Sequence, residues 1–447
     1  MKTWGRTYQV SKKIVNYSFI SLFFAVTLLN APNSFADELV GLTHYSSAKQ
    51  RRKEQQQQKP EEQQKESTPS TSSLSFSSLM KKELVTETFE IHPRYRQEYA
   101  LDSNVLLESA DEKFDSIFRE KPGVEVLIPF AGRHSIRADY GAELEQFVKF
   151  PRENAENQYF ESEVALNFTD LYIHAGENLS HTSSRSGTTF TERIPRLENK
   201  VDTEVGYKWN RFTLEGGYGT FYRRFNTSRE KDLNYGTQEW SGKLFMDLTA
   251  KTKTSVEYTF TNYNYFNDSS RDSNGHQILA GIEGALLPKT TLYSKFGYER
   301  IGFESSAETD SDNFIAQVGT LYQPFSRTVV DLGWKRQTAQ STFANTNFLT
   351  EDQLFGRLHQ RLTEKISGEA DISYTHQGYD ESNRAGTAGN FTGKRKDDLL
   401  STAVKVAYQF TDWFSGDIKY QYNRRNSNAS IFDYTDNLLT IGFEAKV

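Results

Sequence analysis

Cysteine is absent from this 447-residue chain. Its absence excludes disulfide scaffolds, Cys-ligated zinc, c-type haem and a lipidated cysteine anchor. Long apolar runs are almost absent as well. Mean hydropathy is -0.70, too polar for a bundle of transmembrane helices, each of which needs about 20 mostly apolar residues. There is no basic excess either: the formal net charge is -6, whereas a nucleic-acid binder carries a basic patch, so no nucleic-acid partner is expected. Methionine (3) and proline (10) are scarce, while 24 Tyr and 32 Phe raise the aromatic content to 14%. Abundant rings in a polar chain suit strands that are apolar on one side only.

The one apolar run lies at the N-terminus. Lys2, Arg6, Lys12 and Lys13 precede Ile14 to Leu29, and Ser34-Phe-Ala36 follows with small residues. This three-part pattern predicts a secretory signal peptide over residues 1–36, cleaved after Ala36; an uncleaved membrane anchor is the alternative. Residues 37–85 are rich in Gln, Glu, Lys and Ser and hold too little apolar surface to offset the entropy of ordering. They are expected to form a disordered periplasmic linker, or a plug if Leu74 to Leu84 orders inside a pore.

From about Thr86 onward the chain alternates with period two. Ile136, Ala138, Tyr140, Ala142 and Leu144 share one face, opposite Arg137, Asp139, Glu143 and Glu145. Val201, Thr203, Val205, Tyr207 and Trp209 oppose Lys200, Asp202, Glu204 and Lys208. Successive strand side chains point to opposite sides, so each segment has an apolar and a polar face. Helical spacing would smear these charges around a cylinder. Short turns are predicted at Phe130-Ala-Gly-Arg, Phe168-Thr-Asp, Trp209-Asn-Arg, Leu248-Thr-Ala-Lys, Leu287-Pro-Lys, Gln323-Pro-Phe-Ser, Leu362-Thr-Glu-Lys and Phe410-Thr-Asp. Longer polar loops lie between them. Tight turns alternating with long loops predict an all-β fold: an antiparallel transmembrane β-barrel of about 18 strands over residues 86–447, behind a disordered N-terminal leader. A β-propeller also repeats at about 40 residues, but its blades would bury near-continuous apolar strands. A secreted β-sandwich has no need of strands this long.

The chain closes on Leu439, Ile441, Phe443, Ala445 and Val447, alternating to the last residue. Such an ending resembles the signal read by the barrel-assembly machinery, although the usual last residue is Phe or Trp. A second resemblance rests on Phe89-Glu-Ile-His-Pro-Arg-Tyr-Arg-Gln-Glu-Tyr99, Leu101-Asp-Ser-Asn-Val105, Lys121-Pro-Gly-Val124 and Arg133-His-Ser-Ile-Arg-Ala-Asp-Tyr140. In these segments the chain is similar to the outer-membrane β-barrel porin type 2 family, and from there to Val447 it follows only that family's hairpin rhythm. The resemblance implies the barrel fold and a bacterial outer-membrane location, with lipid, lipopolysaccharide and the assembly machinery as partners. Some members are encoded beside exopolysaccharide biosynthesis genes. The family supplies no catalytic residues.

A barrel of this size encloses an aqueous lumen, and the polar faces predict a wall of both signs. The candidate lumen charges are Arg137, Asp139, Glu143, Arg223, Arg357, His359, Arg361, Glu369 and Asp371. Arg357, His359 and Arg361 share one strand face, next to Glu369 and Asp371 on the following strand. That arrangement would set a transverse field across ionic solutes; a self-paired, solvated wall is the bland alternative. Tyr172, Phe221 and Tyr293 are candidates for a sugar-stacking slide or for ordinary wall packing. Aromatics beside the short turns (Phe168, Trp209, Phe212, Phe410, Phe414) predict an interfacial girdle. No metal or cofactor is expected. His174 and His181 fall on opposite strand faces, and Asp268, Asp272, Asn274 and Gly275 miss the EF-hand register. The expected activity is passive passage of small polar or sugar-like solutes. A closed accessory barrel for envelope or exopolysaccharide secretion comes second. An outer-membrane hydrolase comes third, with no spacing that singles out a triad. Nothing in the sequence marks a subunit interface.

Overall fold

The structure is a computed structural model, described for residues 89–185, 193–306, 308–341, 346–379 and 394–447. The expected signal peptide, linker and plug all lie outside the described residues. The strands are, in chain order, β1 (Glu90–Asp102), β2 (Asp115–Phe130), β3 (His134–Phe147), β4 (Ala155–Asn167), β5 (Leu171–Thr182), β6 (Arg196–Trp209), β7 (Phe212–Phe225), β8 (Tyr235–Thr249) and β9 (Thr252–Tyr265). They continue as β10 (Ser273–Leu287), β11 (Thr290–Phe303), β12 (Ser311–Tyr322), β13 (Thr328–Gln340), β14 (Phe348–Arg361), β15 (Ile366–Tyr379), β16 (Lys396–Thr411), β17 (Phe414–Ser427) and β18 (Tyr434–Lys446). They form one 18-stranded antiparallel sheet. Each strand pairs with its chain neighbours, and β18 pairs back onto β1 from Arg94↔Lys446 to Asp102↔Leu438, which closes the barrel. Closure leaves no edge strand, the condition for strands to cross hydrocarbon, although the β12–β13 ladder stops at Ala316↔Arg336 short of the long-loop rim. Among the described residues no helix is long and apolar enough to cross a membrane.

Strands of 12 to 16 residues exceed the 9–11 or so that a tilted strand needs to span a bilayer. The predicted short turns all fall at one rim, together with the start of β1 and the end of β18, and the long connections crowd the other. At the short-turn rim Ala131, Gly132 and Asn210 take positive φ (50°, 71° and 54°), a conformation that Gly and Asn adopt at little steric cost. The outward face carries the exposed apolar side chains, among them Leu214, Val256, Ile282, Leu354 and Val404. Trp209, Phe168, Phe325 and Trp413 are exposed by the short turns, and Trp240 makes tilted ring contacts with Tyr218 and Phe260 further toward the other rim. The outer surface is therefore an apolar band between two aromatic girdles.

The long-loop rim is tied down by one recurring device. The Asn or Asp ahead of the next strand accepts the backbone N–H of a residue at the end of the strand before. Asn154 accepts from Phe147 at 2.8 Å, Asn234 from Phe225 at 2.7 Å, Asp272 from Tyr265 at 2.7 Å, Asp310 from Phe303 at 3.1 Å and Asp433 from Ser427 at 2.6 Å. Asp272, considered above for a calcium loop, is thus spent on its own hairpin.

Inside the wall, two tyrosines lie flat across glycines. Tyr293 pairs with Gly319 and Tyr172 with Gly206. A Cβ added at Gly319 would fall 2.2 Å from the Tyr293 ring, and one at Gly206 would fall 2.0 Å from Tyr172. Each ring then reaches an acid one strand further on: Tyr293 donates to Asp331 at 2.9 Å, and Tyr172 donates to Glu215. Overpacking at such a site costs about 1–3 kcal/mol. Gly319→Ala should therefore lower the urea midpoint of the detergent-folded barrel, while Gly216→Ala, where nothing lies within 4 Å, should leave it nearly unchanged. Equal midpoints would show that the ring is free to swing aside.

The charged lumen wall

Parity along the strands puts every candidate charge on the inward side, and the partners of each divide the wall into sectors. From β17 round to β4 the wall is an ion-pair network. Arg94 forks onto Asp139, with Nη1 2.6 Å from Oδ2 and Nη2 2.5 Å from Oδ1. Arg96 donates to Asp417 at 2.7 and 3.1 Å and to Glu98 at 2.7 Å. Arg119 binds Glu145 at 2.8 Å, and Lys121 sits 3.2 Å from both Glu98 and Glu143. Arg137 donates to Glu125 at 2.6 Å and stands 3.6 Å from Asp139. Forked Arg–carboxylate pairs are strong and directional, so Arg137, Asp139 and Glu143 act mainly as cross-strand ties.

A smaller paired group occupies β6–β11. Lys243 lies between Glu204 (2.7 Å) and Glu215 (3.5 Å), and Lys295 meets Glu257 at 2.7 Å. Arg223 is set apart from the other candidates. Only 1% exposed, it donates to Glu198 at 2.8 Å and lies against Phe221 and Tyr235. It is a buried brace and presents no charge to the open wall.

The wall from β13 to β16 differs. Arg357 pairs in register with Asp371, and His359 with Glu369. The contacts are loose: Arg357 is 4.0 Å from Asp331, His359 is 3.7 Å from Glu369 and Lys405 is 3.5 Å from Glu369. Side chains here stay wet, with His359 50% and Glu369 42% exposed, against 7% for Asp417 and 2% for Glu145 in the tight sector. Arg361 is exposed at the end of β14. The structure thus brings Arg357, His359, Glu369 and Asp371 together as one solvated strip, with Arg361 at its short-turn end. Tyr172, Phe221 and Tyr293 sit on β5, β7 and β11 and form no continuous slide.

Two outer connections lean on distant parts of the rim. Arg185, after β5, donates to the Val105 carbonyl beyond β1, and Arg193, before β6, pairs with Glu145. Arg271, between β9 and β10, is 2% exposed. It donates to Asn347 at 2.9 Å and to the Ser341 carbonyl at 3.2 Å, in the connection between β13 and β14. Sequence reading passed over Arg94, Arg96, Arg119 and these loop arginines. For β1 a signal existed, since His92, Arg94, Arg96 and Glu98 alternate with Tyr95, Gln97 and Tyr99.

A family model described as "Putative beta-barrel porin 2" matches residues 86–447. The chain belongs to that family. It is an outer-membrane porin-type β-barrel of bacteria. Among functionally curated proteins none matches the chain. Solved structures similar to this porin include Pseudomonas aeruginosa OccK5, at 12% identity and TM-score 0.47, covering 80% of this chain and 98% of that one. Acinetobacter baumannii OccAB4 follows at 13% and 0.45, with 80% and 98% covered. The Pseudomonas aeruginosa siderophore receptor PirA stands at 10% and 0.43, with 80% of each covered.

Among the described residues of this porin no group of three or more His, Cys, Asp or Glu could hold a metal. The two kinds of ion pair should separate on mutation. Arg96→Met leaves the buried Asp417 without its arginine and should destabilise the barrel by about 3 kcal/mol. Arg357→Met removes a loose, wet contact and should cost less than about 1 kcal/mol. Urea midpoints of the two variants, measured side by side, check the ranking.

Proposed function

We propose that the barrel is a diffusion channel for small polar or sugar-like solutes. The observation that carries this reading is the solvated strip of β13–β16. It sets Arg357 and Arg361 beside Glu369 and Asp371, with long contacts, on a wall whose ion pairs elsewhere are mostly tight. A polar solute needs hydrogen-bond partners along its path, and loosely held charges can exchange them, whereas locked pairs cannot. In this reading residues 37–85, after removal of residues 1–36, are a periplasmic linker, and the wall acts as a filter without chemistry.

The arginines that tie outer connections across the rim favour a second reading, a barrel narrowed at its outer mouth and working as an accessory of polysaccharide secretion. Single-channel conductance of refolded residues 37–447 and 86–447 in a planar bilayer separates the two. Steady conductance from both is expected. Conductance only after truncation would make residues 37–85 a plug, and silence from both with a heat-modifiable barrel would support the accessory reading. In the conducting protein, Arg357→Glu with Arg361→Glu should move the zero-current potential toward cation preference. An unchanged potential would remove the strip from the solute path.

A further inference from the structure

The outward face is not uniform around the barrel. From β7 to β18 its middle band carries large apolar side chains such as Leu244, Leu332, Ile372 and Ile418, and the outward Arg336 and Asp352 neutralise one another at 2.7 Å. On β1–β6 the same face also holds apolar residues such as Ile136, Tyr140 and Val205, but polar side chains interrupt them. Gln97 pairs in register with Glu120, and Ala138, Ser162 and Glu177 line up across three consecutive strands. Parity fixes their direction. Lys121, next to Glu120, points inward to Glu98 and Glu143, and Glu198, next to Asn199, points inward to Arg223.

Depth makes these residues unusual. Glu177 stands midway along β5. Glu120 lies on the membrane side of the Tyr99–Phe118 ring pair, which belongs to the girdle nearer the long-loop rim. Glu177 accepts from Asn199 Nδ2 at 3.2 Å. Glu120 is exposed and has no partner among the described residues. Ionisable side chains turned toward acyl chains are destabilising and rare unless protein or water covers them.

The geometry points to β1–β6 as the face on which a second copy of this chain docks. The patch is self-complementary. Gln97 and Asn199 offer amide donors and Ser162 a hydroxyl, while Glu120 and Glu177 offer acceptors, so two such faces can satisfy one another. Ala138 and Ser162, paired in register, leave a small-residue site beside the exposed Tyr140 ring, of the kind that allows close approach in packed membrane segments. Lipopolysaccharide is a poorer occupant: its phosphates would meet carboxylates of the same sign, and Glu177 lies too deep for a headgroup. Such docking adds a partner to the barrel and does not depend on which solute the lumen passes.

The full chain, expressed in outer membranes and extracted in mild detergent, tests this by native mass. An oligomer is expected. Ser162→Trp should reduce it to a monomer that stays heat-modifiable on a gel, and Ile372→Trp, on the opposite wall, should leave it intact. Because the chain lacks cysteine, Ser162→Cys provides a single thiol, and a bis-maleimide should link copies through it but not through Ile372→Cys. A monomeric native mass, an oligomer that survives Ser162→Trp, linking through Ile372→Cys alone, or added mass that proves to be lipopolysaccharide would each overturn the assignment.

Discussion

A backbone crossing hydrocarbon must find every hydrogen-bond partner within the protein. The pairing of β18 with β1 meets that demand, and the rest of the molecule follows from it. A closed sheet has an inside and an outside, so the period-two sequence becomes a wet wall and an oily one. Closure also fixes which inward residues become neighbours, and so which charges neutralise one another. A one-residue slip in any strand would exchange the two walls, which ties the register to the membrane itself.

The lumen charges serve two purposes. Where Arg and Asp or Glu meet in forked geometry, as in Arg94–Asp139 and Arg96–Asp417, they bind strands together and their fields largely cancel. Where contacts are long and side chains wet, as around Arg357 and Glu369, the field reaches the solvent. A wall built wholly of the first kind would be rigid and nearly featureless to a passing ion. One built wholly of the second would lack cross-strand support on its polar side.

Much of this was legible in the sequence. Alternation located the strands, because a half-buried strand has few other ways to be written. The short turns were found from residues such as Ala131-Gly132 and Asn210, whose conformational demands are local. Parity also put Arg357 and Asp371 on the same side. What parity cannot give is depth along the strand or the company a side chain keeps. Arg223 therefore read as an open lumen charge, although Phe221, Tyr235 and Glu198 enclose it. The rim devices escaped for a related reason. Asp272 and Asn234 look like solvated loop residues until the strand ends that they cap are fixed in space. Glu120 and Glu177 interrupt the outward apolar pattern, but the meaning of the interruption depends on which strands stand side by side.

The two arginines of β1 differ in when they can be satisfied. Arg94 finds Asp139 within the first strands of the chain, whereas Arg96 must wait for Asp417, 321 residues later. Local contacts form early and distant ones pay the entropy of closing a long loop. An unfinished sheet would leave Arg96 with only its strand neighbour Glu98 until the trailing strands arrived. The seam is then an ionic latch that marks completion: the first strand's arginine gains its buried partner Asp417 when the last hairpin is in place.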